Sequence, residues 1–123
     1  MPNYAFQHIH HEANDVQTAV DFYQKVFDAT ADESFERGGA TWVQVYIGNV
    51  QVTVTDREFS PMELGRYQGL DHFALTSDDF DGSLARFEET GTSIWFGPVA
   101  LENGKRIVFI NGPDQVKVEI MES

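Results

Sequence analysis

Apolar and polar residues alternate with a period of two along Val50-Gln51-Val52-Thr53-Val54-Thr55 and again along Val116-Lys117-Val118-Glu119-Ile120-Met121. Such alternation predicts strands with one face against an apolar layer and the other face turned away from it. Similar short runs predict strands at Tyr4 to His10, Ala40 to Ile47, Leu70 to Thr76, Ser93 to Phe96 and Arg106 to Ile110. Two stretches follow the spacing of three and four instead, which predicts amphipathic helices. One carries Val16, Ala19, Val20, Tyr23, Val26 and Phe27; the other carries Phe80, Leu84 and Phe87. Asn14 or Asp15 stands where an N-cap belongs, as do Ser77, Asp78 and Asp79, and Gly91 suits a left-handed C-terminal residue. Gly38-Gly39, Gly48-Asn49 and Asn111-Gly112-Pro113-Asp114 are turn signals.

The order strand, helix, strands therefore occurs twice, about residues 4–55 and 70–122, within a single domain spanning 1–123. The break from Asp56 to Gly69, with Pro61 and Gly65, reads as a linker. Laid over each other, the halves match His8 with His72, Asp15 with Asp79 and Val20 with Leu84, all 64 residues apart. After a slip of two residues, Thr53 matches Glu119. A repeat of this length implies two copies of one supersecondary unit, each too small to bury its own apolar face. The expected fold is α+β: two tandem βαβββ units forming a curved mixed sheet, with helices on its convex side.

Alternation also assigns the faces. Val50, Val52, Val54, Val116, Val118 and Ile120 form the apolar stripe that must meet the helices, together with Phe73 and Leu75. The concave face then receives Gln51, Thr53, Thr55, Lys117, Glu119 and Met121, joined by His8, His10 and His72. A face this polar is a binding cavity or a surface turned to water.

Composition narrows the chemistry. Ten Phe, four Tyr and two Trp in 123 residues, with 41% hydrophobic residues, supply a real core. With no cysteine, a disulfide framework, a thiolate metal site and a cysteine nucleophile are excluded, and any metal needs nitrogen and oxygen ligands. Eight Lys and Arg against 20 Asp and Glu give a net charge of −12, which argues against a nucleic-acid partner. The same charge suits a cationic small molecule, or simply solubility. No apolar run reaches the roughly 20 residues that span a bilayer, and the first residues lack a signal-peptide pattern, so no membrane association and a cytoplasmic location are expected.

His8, His72 and Glu119 are what a facial set of two histidines and one carboxylate needs. Imidazole nitrogens and one negative charge would hold a divalent ion such as Fe, Mn, Ni, Co or Zn, leaving positions open for substrate. His10 shares the face of His8 as a second donor, a proton shuttle, an alternative ligand or a surface residue. His11 is expected to face solvent, and Glu12 to be a surface residue past the strand end.

The stretches "HIHHEANDVQTAVDFYQKVF", "GLDHFALTSDD" and "GPDQVKVEIME" resemble the vicinal oxygen chelate superfamily, which includes glyoxalase I, methylmalonyl-CoA epimerase, extradiol dioxygenases and the fosfomycin- and bleomycin-resistance proteins. The resemblance covers essentially the whole chain. It implies metal ligands from the first and last strand of each unit: His8 first, His72 third and Glu119 fourth. The second falls on Thr53, where glyoxalases and epimerases of the family place Glu or Gln, whereas the dioxygenases use two His and one Glu. A frame shift of two would put Gln51 there instead.

The resemblance implies a metal-dependent enzyme on a small oxygen-chelating substrate, with the three-ligand pattern favouring dioxygenase-like chemistry. In a glyoxalase- or epimerase-like lyase or isomerase, Glu119 would be ligand and also the proton-transferring base. The alternative from another class is a metal-free small-molecule binding protein of the bleomycin-resistance type. Two such units make half of a usual pair of barrels, so a homodimer is expected. Thr53, Gln51, Lys117 and Tyr46 are candidate substrate contacts. So is Arg66, which with Arg57 and Tyr67 forms either a gripping lid or a solvated loop. Trp42, Trp95 and Phe109 either line the pocket or belong to the core.

Overall fold

The computed structural model describes residues 2–60 and 63–123; Pro61, in the expected linker, lies outside them. The chain divides into two compact units, Met1–Ser60 and Pro61–Ser123, so the boundary falls inside the predicted linker. The first unit runs β1 (Ile9–Glu12), α1 (Val16–Phe27), β2 (Thr30–Ala31), β3 (Phe35–Arg37), β4 (Ala40–Ile47) and β5 (Val50–Thr55). The second runs β6 (Phe73–Ser77), α2 (Phe80–Thr90), β7 (Ile94–Ala100), β8 (Arg106–Asn111) and β9 (Lys117–Glu122).

Each unit builds its own mixed sheet, so the expected curved sheet is divided between two hydrogen-bonded ladders. The orders are β1-β5-β4-β2, with β3 also on β4, and β6-β9-β8-β7. In both, the first strand pairs in parallel with the last, and the last pairs antiparallel with its predecessor. The short β2 and β3 both pair with β4 and together take the place that β7 holds in the second unit. The repeat is thus a repeat of topology. No helix among the described residues is long and apolar enough to cross a membrane.

Both helices start and stop where their flanking residues dictate. The Asp15 side chain accepts from the Thr18 N–H at 3.2 Å, and Asp28 ends α1 in the left-handed region. The Asp79 side chain accepts from the Gly82 N–H at 3.0 Å, and Gly91 ends α2 at φ 67°. Glycine at 82 belongs to that cap, because a Cβ there would stand 2.1 Å from an Asp79 carboxylate oxygen. Ala19, Val20 and Tyr23 of α1 are buried with Val43, Val45, Val52 and Val54 of the sheet. In the second unit Phe80 and Phe87 are buried with Val108, Ile110, Val118 and Ile120. Burying one such side chain contributes roughly 1.5–3 kcal/mol, so the apolar stripe dominates each unit's stability.

Four local expectations need correction. The first strand begins at Ile9 rather than Tyr4, because parallel pairing with β5 starts at Ile9 opposite Val52. Tyr4 is 90% exposed, and His8 precedes the strand. The sixth strand likewise begins at Phe73, leaving His72 just before it. His11 does not face solvent. It is 3% exposed, lies level with Val54 on the helix side, and its Nδ1 is 2.9 Å from the Tyr23 hydroxyl. Glu12 is no loose surface residue either, since it closes β1 and is paired with Arg57.

Arg106 ties β8, β9 and the start of α2 together. Its guanidinium donates to Glu122 Oε2 at 2.8 Å and to Asp81 Oδ1 at 2.8 Å, and it lies 4.6 Å over the Phe80 ring. Hydrogen bonds from Arg106 hold the Glu122 carboxyl below the usual carboxylate range. A depressed carboxyl stabilises the fold above its unfolded value, and that contribution is lost as pH falls through the folded value. Glu122→Gln should therefore lower the urea midpoint at pH 7, with the gap from wild type closing as pH drops below about 4.5. A gap that stays constant from pH 7 to pH 3 would contradict this assignment.

Candidate functional site

The parallel ladders place the site residues. In the first unit His10 is level with Thr53; in the second, Ala74 is level with Glu119. His10 and Ala74 are 64 residues apart, as are His8 and His72. Thr53 is therefore the positional counterpart of Glu119, and Gln51 that of Lys117. The alternative frame with Gln51 at the Glu119 position is excluded.

In the first unit a chain of side chains links His8 to Thr53. The His8 Nδ1 meets the Gln7 side-chain oxygen. Gln7 Nε2 donates to Gln51 Oε1 at 3.2 Å, and Gln51 Nε2 donates to Gln44 Oε1 at 2.9 Å. The Thr53 hydroxyl donates to the same Gln44 oxygen at 2.7 Å. Thr53 is 4% exposed, so it is not the open wall that alternation suggests. Gln44 escaped the sequence reading. Its signal was the polar slot between Trp42 and Tyr46 on β4, directly opposite Thr53.

His10 belongs to a second group on the same strand. Its Nε2 lies 3.0 Å from Glu12 Oε1 and 3.3 Å from an Arg57 nitrogen, and its ring stands edge-on to Trp42. Arg57 Nε donates to Glu12 at 2.7 Å, with the guanidinium 5.3 Å over the Trp42 ring. Burial lowers the His10 pKa most; the Glu12 carboxylate opposes this, and Arg57 and His8 add to the lowering. Arg57 is thus engaged with β1 rather than held in a lid.

In the second unit His72 lies between two carboxylates. Its Nδ1 is 2.8 Å from Asp71 Oδ2 and its Nε2 is 3.0 Å from Glu119 Oε1. The Phe109 ring packs edge-on at 4.7 Å, from the position opposite Glu119 on β8. The His72 side chain is 29% exposed and that of Glu119 is 13%. The hydrogen bond from His72 holds the Asp71 carboxyl below the usual range, with Arg66 assisting.

The remaining candidates are engaged locally. Arg66, 72% exposed, pairs with Asp71 at 3.2 Å. Tyr46 donates its hydroxyl to Asp32 at 2.9 Å, which raises the Tyr46 pKa. Lys117 sits 5.2 Å over the Trp95 ring, and Trp95 is edge-on to Phe109.

Among the described residues no group of three or more His, Cys, Asp or Glu side chains is arranged to hold a metal ion. Asp71 and Glu119 meet opposite nitrogens of His72, so they cannot share one ion. His72 nonetheless has a carboxylate at each ring nitrogen. A neutral imidazole has one N–H to donate. With carboxylate oxygens at both nitrogens, one contact needs a second proton or a cation between nitrogen and oxygen. The 3.0 Å between His72 Nε2 and Glu119 Oε1 is the separation of a hydrogen bond.

The Gln44–Thr53 bond carries a prediction. Gln44→Leu removes the acceptor of a buried hydroxyl and should cost about 1–3 kcal/mol by urea denaturation. Adding Thr53→Val should recover part of that loss. Additive costs in the double variant would contradict the bond.

Comparison with known proteins follows the same lines. The model of the Glyoxalase/Bleomycin resistance protein/Dioxygenase superfamily matches residues 5–120. A search of curated proteins returns no match. Among solved structures, a glyoxylase/bleomycin resistance protein/dioxygenase domain from Frankia sp. EAN1pec superposes with a TM-score of 0.82 at 15% identity, covering 99% of each chain. A glyoxalase family protein from Enterococcus faecalis gives 0.79 at 19% identity, covering 96% of this chain and 97% of its own. The fosfomycin resistance protein FosX from Mesorhizobium loti gives 0.75 at 18% identity, covering 98% and 92%. At these identities the likeness is one of fold.

Proposed function

The chain belongs to the Glyoxalase/Bleomycin resistance protein/Dioxygenase superfamily, and from that premise we propose that it is a metal-dependent enzyme acting on a small substrate through adjacent oxygens. The observation that supports this reading is the placement of His72 between two carboxylates, Glu119 at Nε2 and Asp71 at Nδ1. His72 and Glu119 would hold a divalent ion, with His8 as third ligand, from the same chain or from a partner in a homodimer. The bound ion supplies Lewis-acid polarisation of the substrate oxygens.

The protein's own groups do the rest. Thr53, at the position matching Glu119, gives its hydrogen to Gln44 and is no anionic ligand. A set of two histidines and one carboxylate leaves more positions open than a four-ligand set, which favours dioxygenase-like chemistry on Fe(II) over lyase or isomerase chemistry. His10 is held toward its neutral form by burial, which suits a group that accepts a proton. Gln51, Lys117 and Tyr46 are the proposed substrate contacts, and Arg66 lies at the exposed end of the Asp71 pair.

The direct test is metal uptake. Metal-stripped protein titrated with Co(II), Mn(II) and anaerobic Fe(II) should take up about one ion per chain, and His72→Ala should weaken binding by about 100-fold or more. Binding far below one ion per chain, unchanged by His72→Ala, would sink the enzyme reading. It would leave the metal-free binding protein, whose acidic character suits a cationic ligand.

A further inference from the structure

The strand β7 meets β8 out of register twice, between Ile94 and Phe96 and between Phe96 and Val99. In a regular strand Trp95 and Phe96 would point to opposite faces. The first irregularity changes this, and both rings pack against Phe109, with centroids at 5.7 and 6.2 Å. Such irregularities re-aim side chains beside functional sites. Phe109 is opposite Glu119, so the two aromatics gather on the face that carries Glu119 and, two residues back along β9, Lys117. Trp95 and Phe96 remain 43% and 50% exposed. Lys117 lies 5.2 Å over the Trp95 ring and, among the described residues, is in no ion pair. A half-buried cation without a counter-ion, in a chain of 20 Asp and Glu, is placed for an anion that comes from outside.

We propose that this face of the second unit binds a monocyclic aromatic monocarboxylate, with its ring against Trp95, Phe96 and Phe109 and its carboxylate on Lys117. The exposed rings supply a flat apolar wall, and aromatic groups favour offset or edge-on contact with a further ring. Lys117 selects the charge and Glu119 limits it. Two residues of strand separate Lys117 from Glu119 by about 6.7 Å, which is also the reach of one ring with groups on opposite carbons. A carboxylate about 4 Å from the ammonium is attracted roughly twice as strongly as Glu119 repels it from about 7 Å, because Coulomb energy falls as 1/r. A second carboxylate at the far end of the ring would meet Glu119 itself and be rejected. That far end arrives at His72 and Glu119, where the proposed function locates the chemistry, and only this last step rests on that reading. The ring and carboxylate contacts need no ion.

Metal-stripped protein titrated with benzoate, benzamide, terephthalate and cyclohexanecarboxylate, and followed by proton–nitrogen NMR, tests this. Benzoate should move the Trp95 indole signal, which is identified by its loss in Trp95→Phe. Benzamide lacks the charge and should bind about 10-fold more weakly. Cyclohexanecarboxylate lacks the π face and should bind about 2- to 10-fold more weakly. Terephthalate, with its second carboxylate, should also bind more weakly than benzoate. Lys117→Met, which keeps an apolar stem on Trp95, should weaken benzoate about 10-fold and leave benzamide unchanged, and Lys117→Arg should restore benzoate. Benzamide or cyclohexanecarboxylate binding as tightly as benzoate, terephthalate binding more tightly, or benzoate leaving Trp95 unmoved would each overturn the proposal. So would absence of benzoate binding at millimolar concentration, as when a second copy of the chain covers the face. Because the titration is metal-free, a failure to take up Co(II) would remove the proposed function and leave this result standing.

Discussion

The parallel pairing of first and last strand is the constraint from which the rest of each unit follows. A parallel pair requires a crossover, and α1 and α2 supply it. Once Ile9 is opposite Val52 and Phe73 opposite Val118, every later residue of those strands has its face assigned. A slip of one residue would send Glu119 into the packing of Phe80 and Phe87 and bring Val118 out. The buried valines and isoleucines of β5 and β9 fix the register, and the register fixes where the carboxylate stands. Apolar packing thus determines the polar chemistry one residue away.

The polar face shows how two copies of one unit have taken different characters. In the first, neutral donors and acceptors interlock from Gln7 through Gln51 and Gln44 to Thr53, beside the His10–Glu12–Arg57 group. In the second, Asp71, His72 and Glu119 concentrate charge in a short line. A satisfied network of neutral groups holds geometry at little electrostatic cost. The repeat keeps the positions and exchanges the chemistry.

Much of this was legible in the sequence because period and repeat are properties of spacing. The helices, their caps at Asp15 and Asp79, the left-handed Gly91 and the alternating faces of β5 and β9 follow from residue order. So does the match of Thr53 with Glu119. What escaped depends on where a ladder begins. Tyr4 to His8 alternates like a strand but lies ahead of the ladder, whose first pair is Ile9 with Val52. That shift turned His11 from an expected surface residue into the buried partner of Tyr23. Gln44 and Asp71 were invisible for another reason. A side chain that orients another is defined by contact in space, and a lone polar residue in a strand or loop gives no such signal.

In the proposed function His72 and Glu119 are neighbouring ligands of one divalent ion. Anomalous diffraction at the metal absorption edge, on crystals of the loaded protein, tests this most directly. The prediction is a single peak per chain within roughly 2.0–2.3 Å of His72 Nε2 and of a Glu119 carboxylate oxygen. A peak elsewhere, or none while the two side chains keep their mutual contact, would contradict it.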